Sequence, residues 1–191
     1  MGKLILVLGG ARSGKSTFAQ KLAGEIATGS GRVAYVATGV AFDDEMRARI
    51  EQHQRARPPA WATIEAPTEV AQAIKRAGDE YAVMIVDCLT ILMTNWLTEG
   101  GPLEEPNEGM MEMEKAVLGR VEELVRAARG AKATVIVVSN EVGLGVVPAF
   151  KAGRVFRDLA GLANQFMARK ADEVYVMWAG IPQKIKGKHD G

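Results

Sequence analysis

Apolar positions along this 191-residue chain follow two alternating rhythms. Six short segments are aliphatic and rich in β-branched residues: Leu4 to Leu8, Val33 to Ala37, Ala62 to Glu65, Ala82 to Asp87, Thr134 to Ser139 and Val174 to Trp178. Stretches with helical spacing separate them: the residues after Gly14, then Asp43 to Arg55, Thr68 to Ala77, Leu89 to Leu97, Met110 to Arg129 and Gly153 to Ala171. Strands alternating with helices predict βαβ crossovers and an α/β fold. Four of the six segments are almost continuously apolar, as strands buried on both faces are. The sheet is therefore expected to be mainly parallel, with helices on both faces. Met113, Val117, Val121, Leu124 and Val125 form an apolar stripe suited to packing on the chain's own sheet or on another subunit. Thr98 to Asn107, rich in glycine and proline, is expected to be a surface loop inside one domain. Residues 187–191 are expected to fray, leaving 1–186 as a single domain.

Composition narrows the function. The chain is 48% hydrophobic and 25% charged, with 24 Lys and Arg against 23 Asp and Glu. A net charge of +1 provides no basic field for a nucleic-acid backbone, so small-molecule partners are expected and nucleic acid is not. The single cysteine, Cys88, excludes an intrachain disulfide and any cysteine-cluster zinc site. No apolar run reaches the roughly 20 residues that span a bilayer. The opening segment, Met1 to Leu8, turns at once into glycines and charge and reads as a strand, not a signal peptide. No membrane association is expected, and the location expected is the cytoplasm.

Gly9-Gly10-Ala11-Arg12-Ser13-Gly14-Lys15-Ser16 matches the pattern G-x-x-x-x-G-K-[ST]. It directly follows an apolar strand and directly precedes a helical pattern, the context in which such a loop cradles phosphate. Glycines let successive N–H groups converge on one concavity, beside a helix N-terminus. Lys15 is expected to reach the β- and γ-phosphates, and Ser16 to offer its hydroxyl to Mg²⁺. A P-loop NTPase fold is therefore expected.

Such a cation commonly has a carboxylate at the end of a neighbouring strand, and Asp87 closes the apolar run Val83 to Val86. The other role open to Asp87 is capping the next helix. Cys88 has no cationic neighbour in sequence and reads as packing. The guanine-reading tetrapeptide Asn-Lys-x-Asp of GTPase switches is missing.

The stretch from Asp43 to Arg57 begins acidic and ends basic, which complements a helix dipole with Asp43 as N-cap. Met46, Ile50 and His53 are spaced so as to share one face. On that pattern alone, His53 reads first as a packing residue, with a reactive role the lesser alternative.

Several further motifs occur in order after the phosphate loop: Ala37-Thr38-Gly39, Asp44-Glu45-Met46 with Arg49-Ile50 and His53, and Ser139-Asn140-Glu141-Val142-Gly143 with Gly145 and Pro148. Arg157-Asp158, Gly161, Asn164-Gln165 and Ala171-Asp172-Glu173-Val174 follow. From Leu4 to about Lys186 the chain resembles the bifunctional adenosylcobinamide kinase and adenosylcobinamide-phosphate guanylyltransferase family of cobalamin biosynthesis.

The resemblance implies two reactions on one scaffold. A nucleoside triphosphate, ATP or GTP, phosphorylates adenosylcobinamide, and GMP is then moved from GTP to that phosphate through a histidine carrying GMP. His53 matches that histidine. Some relatives have two adjacent histidines where this chain has Gln52-His53, and the only other histidine is His189. The resemblance further implies nucleotide contacts at Gly9 to Ser16, Ala37, Thr38, Gly39, Gln54, Arg55, Ala56, Arg57, Glu65 and Asp87, and a homotrimer. Glu141 is expected either to act on the cobinamide hydroxyl as a base or to brace its own loop. Arg55 and Arg57 are open between nucleotide contact and a solvated helix end. Two other functions fit the residues: a simple metabolite kinase with His53 as packing, and a nucleotide-dependent binding module.

Overall fold

The computed structural model describes residues 2–28, 31–41, 44–55, 57–99 and 110–188, without the side chains of residues 45, 46, 49, 52, 53 and 110. In chain order the elements are β1 (Leu4–Gly9), α1 (Lys15–Ile26), β2 (Val33–Ala37), α2 (Asp44–Arg55), β3 (Ala62–Glu65), α3 (Val70–Ala77), β4 (Val83–Asp87), α4 (Leu89–Thr98), α5 (Met110–Gly130), β5 (Thr134–Asn140), α6 (Lys151–Lys170), β6 (Glu173–Trp178) and β7 (Ile181–Lys186).

The strands form one seven-stranded sheet in the order β3-β2-β4-β5-β1-β6-β7. Every pairing is parallel except β6 with β7. The carboxyl ends of β1 to β6 therefore share one edge, the edge at which ligands bind in open α/β sheets.

Both faces are covered, as the continuous apolar runs require. On one face Ile5, Val7, Val33, Tyr35, Val83, Ile85, Ile136 and Val138 pack against Ala19 and Ala23 of α1. On the other, Leu4, Leu6, Val36, Met84, Val86, Val135 and Val137 meet Ile74 of α3, Leu89 and Leu92 of α4, Val121 and Leu124 of α5, and Leu159 and Met167 of α6. Each such large side chain contributes about 1.5–3 kcal/mol when fully buried. Val117, Val121, Leu124 and Val125 of the α5 stripe are buried in this core, with Met113 packed against it, so the stripe serves its own sheet.

The strand and helix positions expected from sequence are all present, with ends shifted by one or two residues. Two differences matter. Thr98 belongs to α4, where its hydroxyl donates to the Thr94 carbonyl, so the expected loop begins later. The rest of that loop, from Gly100, lies outside the described residues, as do Asp43 and residues 189–191. The second difference is β7, an edge strand that the six-segment reading lacks. Ile181-Pro182-Gln183-Lys184-Ile185-Lys186 is mostly exposed and contains a proline, and it pairs on one side only.

Candidate functional site

Residues 10–14 leave β1 at the carboxyl edge and return as α1. Arg12 and Gly14 adopt positive φ, 54° and 91°. That bend carries the loop over the N-terminus of α1, which begins at Lys15. The Lys15 side chain is buried, and its Nζ donates to the Gly10 carbonyl at 2.6 Å. Ser13 Oγ is buried with no hydrogen-bond partner among the described residues. An unpaired hydroxyl in a concavity of main-chain N–H groups is a donor for a phosphate oxygen. The loop is closed from the β6–β7 turn, where the Gly180 amide donates to the Ser13 carbonyl at 3.0 Å.

Asp87 ends β4 at the same edge, in register with Ala37 of β2. It follows Ile85 by two residues and so lies on the α1 face, the face that also carries Ser16 in the first turn of α1. A hydroxyl and a carboxylate are hard oxygen donors, which fits Mg²⁺. Among the described residues no cluster of three His, Cys, Asp or Glu side chains forms a metal site.

Tyr35, absent from the sequence-based expectations, belongs to this site. Its hydroxyl donates to Asp87 Oδ2 at 2.6 Å. Burial first, then the Asp87 charge, raises the hydroxyl above its ordinary 10.0, so it stays protonated and remains a donor. The Arg57 guanidinium stacks 3.6 Å above the Tyr35 ring centroid, and its Nη1 donates to Thr63 Oγ1 at 3.2 Å. The signal in sequence is a phenol placed in the middle of an otherwise aliphatic strand.

Behind Asp87 runs a buried polar network. Thr38 Oγ1 donates to the Cys88 carbonyl at 3.0 Å and accepts from the Cys88 amide at 2.8 Å. The Thr38 amide donates to the Asp87 carbonyl, and Asn95 Nδ2 donates to the Thr38 carbonyl. Every polar group of Thr38 is thus engaged in joining the β2 and β4 ends, and its side chain is fully buried. Thr90 Oγ1 accepts from Asn140 Nδ2 at 2.7 Å, tying the β5 end to the same junction. Cys88 is buried here, and burial, with the Asp87 charge second, pushes its thiol up, consistent with packing.

The other expected residues are spread along this edge. Gly39 faces Ile50 of α2: a Cβ added at Gly39 would stand 3.4 Å from Ile50 Cδ1. His53 lies three residues beyond Ile50 in α2, and its side chain, like all of Ala56, is outside the described residues. Gln54 and Arg55 are exposed, with Arg55 paired to Glu51 at 3.1 Å along the helix. Glu65 is exposed at the end of β3, in register with Ala37. Glu141 Oε1 accepts from the Gly143 amide at 2.8 Å, a contact that braces the loop through one oxygen of the carboxylate. The Glu141 amide donates to the Gly9 carbonyl, which seats that loop beside the phosphate cradle.

A phosphate loop and a strand-end carboxylate on one face of a parallel sheet define a P-loop nucleotide-utilising protein. Its fold is shared with a flagellar accessory protein, FlaH of Methanocaldococcus jannaschii, at TM-score 0.54 and 17% identity over 98% of this chain and 79% of that one. The chain belongs to the cobinamide kinase / cobinamide phosphate guanyltransferase family, whose model matches residues 5–185. It is 41% identical over 184 residues to the bifunctional adenosylcobalamin biosynthesis protein CobU of Escherichia coli K12, covering 96% of this chain and 99% of that protein. The protein of the same name from Salmonella typhimurium LT2 is 39% identical, again over 96% of this chain and 99% of the relative. CobP of Pseudomonas aeruginosa PAO1, also described as a bifunctional adenosylcobalamin biosynthesis protein, is 37% identical over 96% of this chain and 97% of its own length.

Proposed function

We propose that this chain phosphorylates adenosylcobinamide with a nucleoside triphosphate and then converts the product to adenosylcobinamide-GDP with GTP. One observation carries the reading. The family match runs from residue 5 to 185 and so takes in the phosphate loop, Asp87 and His53 within a single domain.

In the first reaction the substrate hydroxyl oxygen attacks the γ-phosphorus and the nucleoside diphosphate leaves, with Glu141 the candidate acceptor of the hydroxyl proton. In the second, a neutral imidazole nitrogen of His53 attacks the α-phosphorus of GTP and expels pyrophosphate. A phosphate oxygen of adenosylcobinamide phosphate then attacks the same phosphorus, breaking the P–N bond and returning free His53. Lys15 neutralises charge on the triphosphate, and the N–H groups from Gly9 to Ser16 with Ser13 Oγ bind its oxygens. Mg²⁺, held by Ser16 and Asp87, supplies further charge neutralisation when bound. Ala37 to Gly39, Gln54 to Arg57 and Glu65 are the remaining nucleotide contacts, with Thr38 contributing through the junction it braces.

The exposed apolar residues Leu144, Val146, Val147 and Phe150 follow Glu141 at the working edge. A patch of this kind supports a contact between subunits; the homotrimer, with a neighbouring subunit helping to wall the corrinoid, is carried over from the family resemblance, and the cytoplasm is the location expected. Light scattering at the monomer mass would remove that part of the reading. Among the described residues no helix is long and apolar enough to cross a membrane.

The test is covalent labelling. GTP labelled at the α-phosphate is expected to leave acid-labile GMP on the protein, and His53→Ala to abolish it while kinase activity persists. Labelling that survives His53→Ala would overturn the assignment of the nucleophile. A wild-type protein that phosphorylates without forming any adduct would reduce the function to that of a simple kinase.

A further inference from the structure

We propose that Tyr35 is the positioning residue of the metal site, holding one oxygen of Asp87 so that the other is the one chiefly offered to the cation. The inference rests on the reading of Asp87 as the metal carboxylate.

The sheet register sets up the contact. Tyr35 stands opposite Ile85 and Ala37 opposite Asp87 in the parallel β2–β4 pair, so Tyr35 and Asp87 are offset by two residues on the same face. Two residues of strand are about 6.6 Å, a distance a phenol bridges along the sheet. Tyr35 is only 2% exposed, and a buried hydroxyl must find a partner. Its partner is the Asp87 carboxylate, at 2.6 Å, the length of a charge-assisted bond.

The ring that carries this hydroxyl is itself clamped. One side belongs to the core beneath α1, and the Arg57 guanidinium covers the ring at 3.6 Å. Arg57 is anchored in turn on Thr63, the β3 residue in register with Tyr35. A buried hydroxyl can be satisfied by any acceptor; here the acceptor is the strand-end carboxylate at the ligand edge, and a guanidinium covers the ring.

The chemical consequence concerns denticity. A carboxylate oxygen that accepts from a hydroxyl keeps only one lone pair and is the weaker ligand, so the other oxygen is the one chiefly offered to a cation. Mg²⁺, with six ligands in near-ideal octahedral geometry, suits that arrangement, whereas Ca²⁺ takes six to eight ligands and accepts bidentate carboxylates. Tyr35 thereby favours the smaller ion. Groups that orient metal ligands typically change metal affinity about 10–100-fold when removed.

The experiment is electron paramagnetic resonance titration of Mn²⁺ into the full chain with α,β-methylene GTP, with Ca²⁺ as competitor. Tyr35→Phe keeps the ring and removes the hydroxyl. The expected result is a rise of about tenfold in the Mn²⁺ Kd and relatively better competition by Ca²⁺, with a melting temperature lowered by only a few degrees. Asp87→Asn is expected to lose Mn²⁺ more severely. If Tyr35→Phe binds Mn²⁺ as the wild type does while Asp87→Asn does not, the role of Tyr35 is overturned and the metal carboxylate stands. If Asp87→Asn also leaves the Mn²⁺ Kd unchanged, the metal reading of Asp87 itself falls. A Tyr35→Phe chain that fails to fold overturns the proposal too, because the hydroxyl would then serve the fold.

Discussion

The Gly180 amide donates to the Ser13 carbonyl at 3.0 Å, so the turn between the last two strands holds the phosphate loop from outside. Gly14 sits under this contact with φ of 91°, and a Cβ added there would stand 3.3 Å from Gly180 Cα and 3.7 Å from Met177 Cε. The Gly180 Cα is backbone and yields only by moving the turn. Gly14→Ala therefore combines left-handed strain of about 1–2 kcal/mol with displacement of the loop's brace. Calorimetric titration is expected to show nucleotide affinity lowered more than tenfold, with a melting temperature reduced by several degrees. Wild-type affinity in Gly14→Ala would mean that the loop is not held in this conformation when it works.

Cys88 follows the candidate metal carboxylate but is sealed beneath it. The thiol is only 5% exposed, Thr90 Oγ1 lies 3.1 Å from its sulfur, and burial keeps it protonated. A thiol reagent reaches it only when the β2–β4 junction opens. Labelling by an aromatic disulfide in the native protein is expected to be at least about 100-fold slower than in guanidinium. Rapid stoichiometric labelling of the native chain would show that the junction opens readily.

The parts of this molecule legible in sequence are those fixed locally or by burial on both faces. β1, β2, β4 and β5 are almost continuously apolar because helices cover both sides of each, and the phosphate loop is a contiguous motif between a strand and a helix. β7 was not legible because its pairing with β6 involves main-chain groups, while its side chains face solvent and carry no apolar alternation strong enough to register. The Tyr35–Asp87 contact was hidden for a different reason. Tyr35 and Asp87 meet only through the parallel register of β2 and β4, with Arg57 reaching in from the segment before β3, and one sequence does not state which strands are neighbours. The inward turn of the Thr38 hydroxyl, which holds Cys88, was hidden in sequence for the same reason.

Ser139 and Asn164 join β5 to α6 immediately before the loop that carries Glu141. Ser139 Oγ donates to Asn164 Oδ1 at 2.7 Å, and Asn164 Nδ2 donates to the Asn140 carbonyl at 3.1 Å. Both side chains are buried. Asn164→Ala strands a hydroxyl and a carbonyl away from water, at a cost of about 2–4 kcal/mol. Urea denaturation is expected to show that loss, and Ser139→Ala added to Asn164→Ala to recover about 1 kcal/mol by removing one orphan. Strict additivity of the two substitutions would show that the pair is not coupled.

At the opposite edge of the sheet, Glu173 makes stability depend on acid. Burial acts to raise its carboxyl, but hydrogen bonds from Lys3 at 2.6 Å, Tyr175 at 2.8 Å and the Lys184 ammonium at 3.1 Å outweigh it and hold the group down to about 2. The ordinary value is 4.5. Because the folded value is the lower one, the unfolded chain binds the proton more readily, and the contribution is present above about pH 5 and lost as pH falls through 2. The Lys3 ammonium is 62% exposed, so solvent screening reduces the linkage maximum to about 1–2 kcal/mol. Glu173→Gln is therefore expected to lower the urea midpoint at pH 7 and to converge on the wild type as pH approaches 2. A difference that persists unchanged at pH 2 would assign the effect to packing of the side chain at the start of β6, not to its charge.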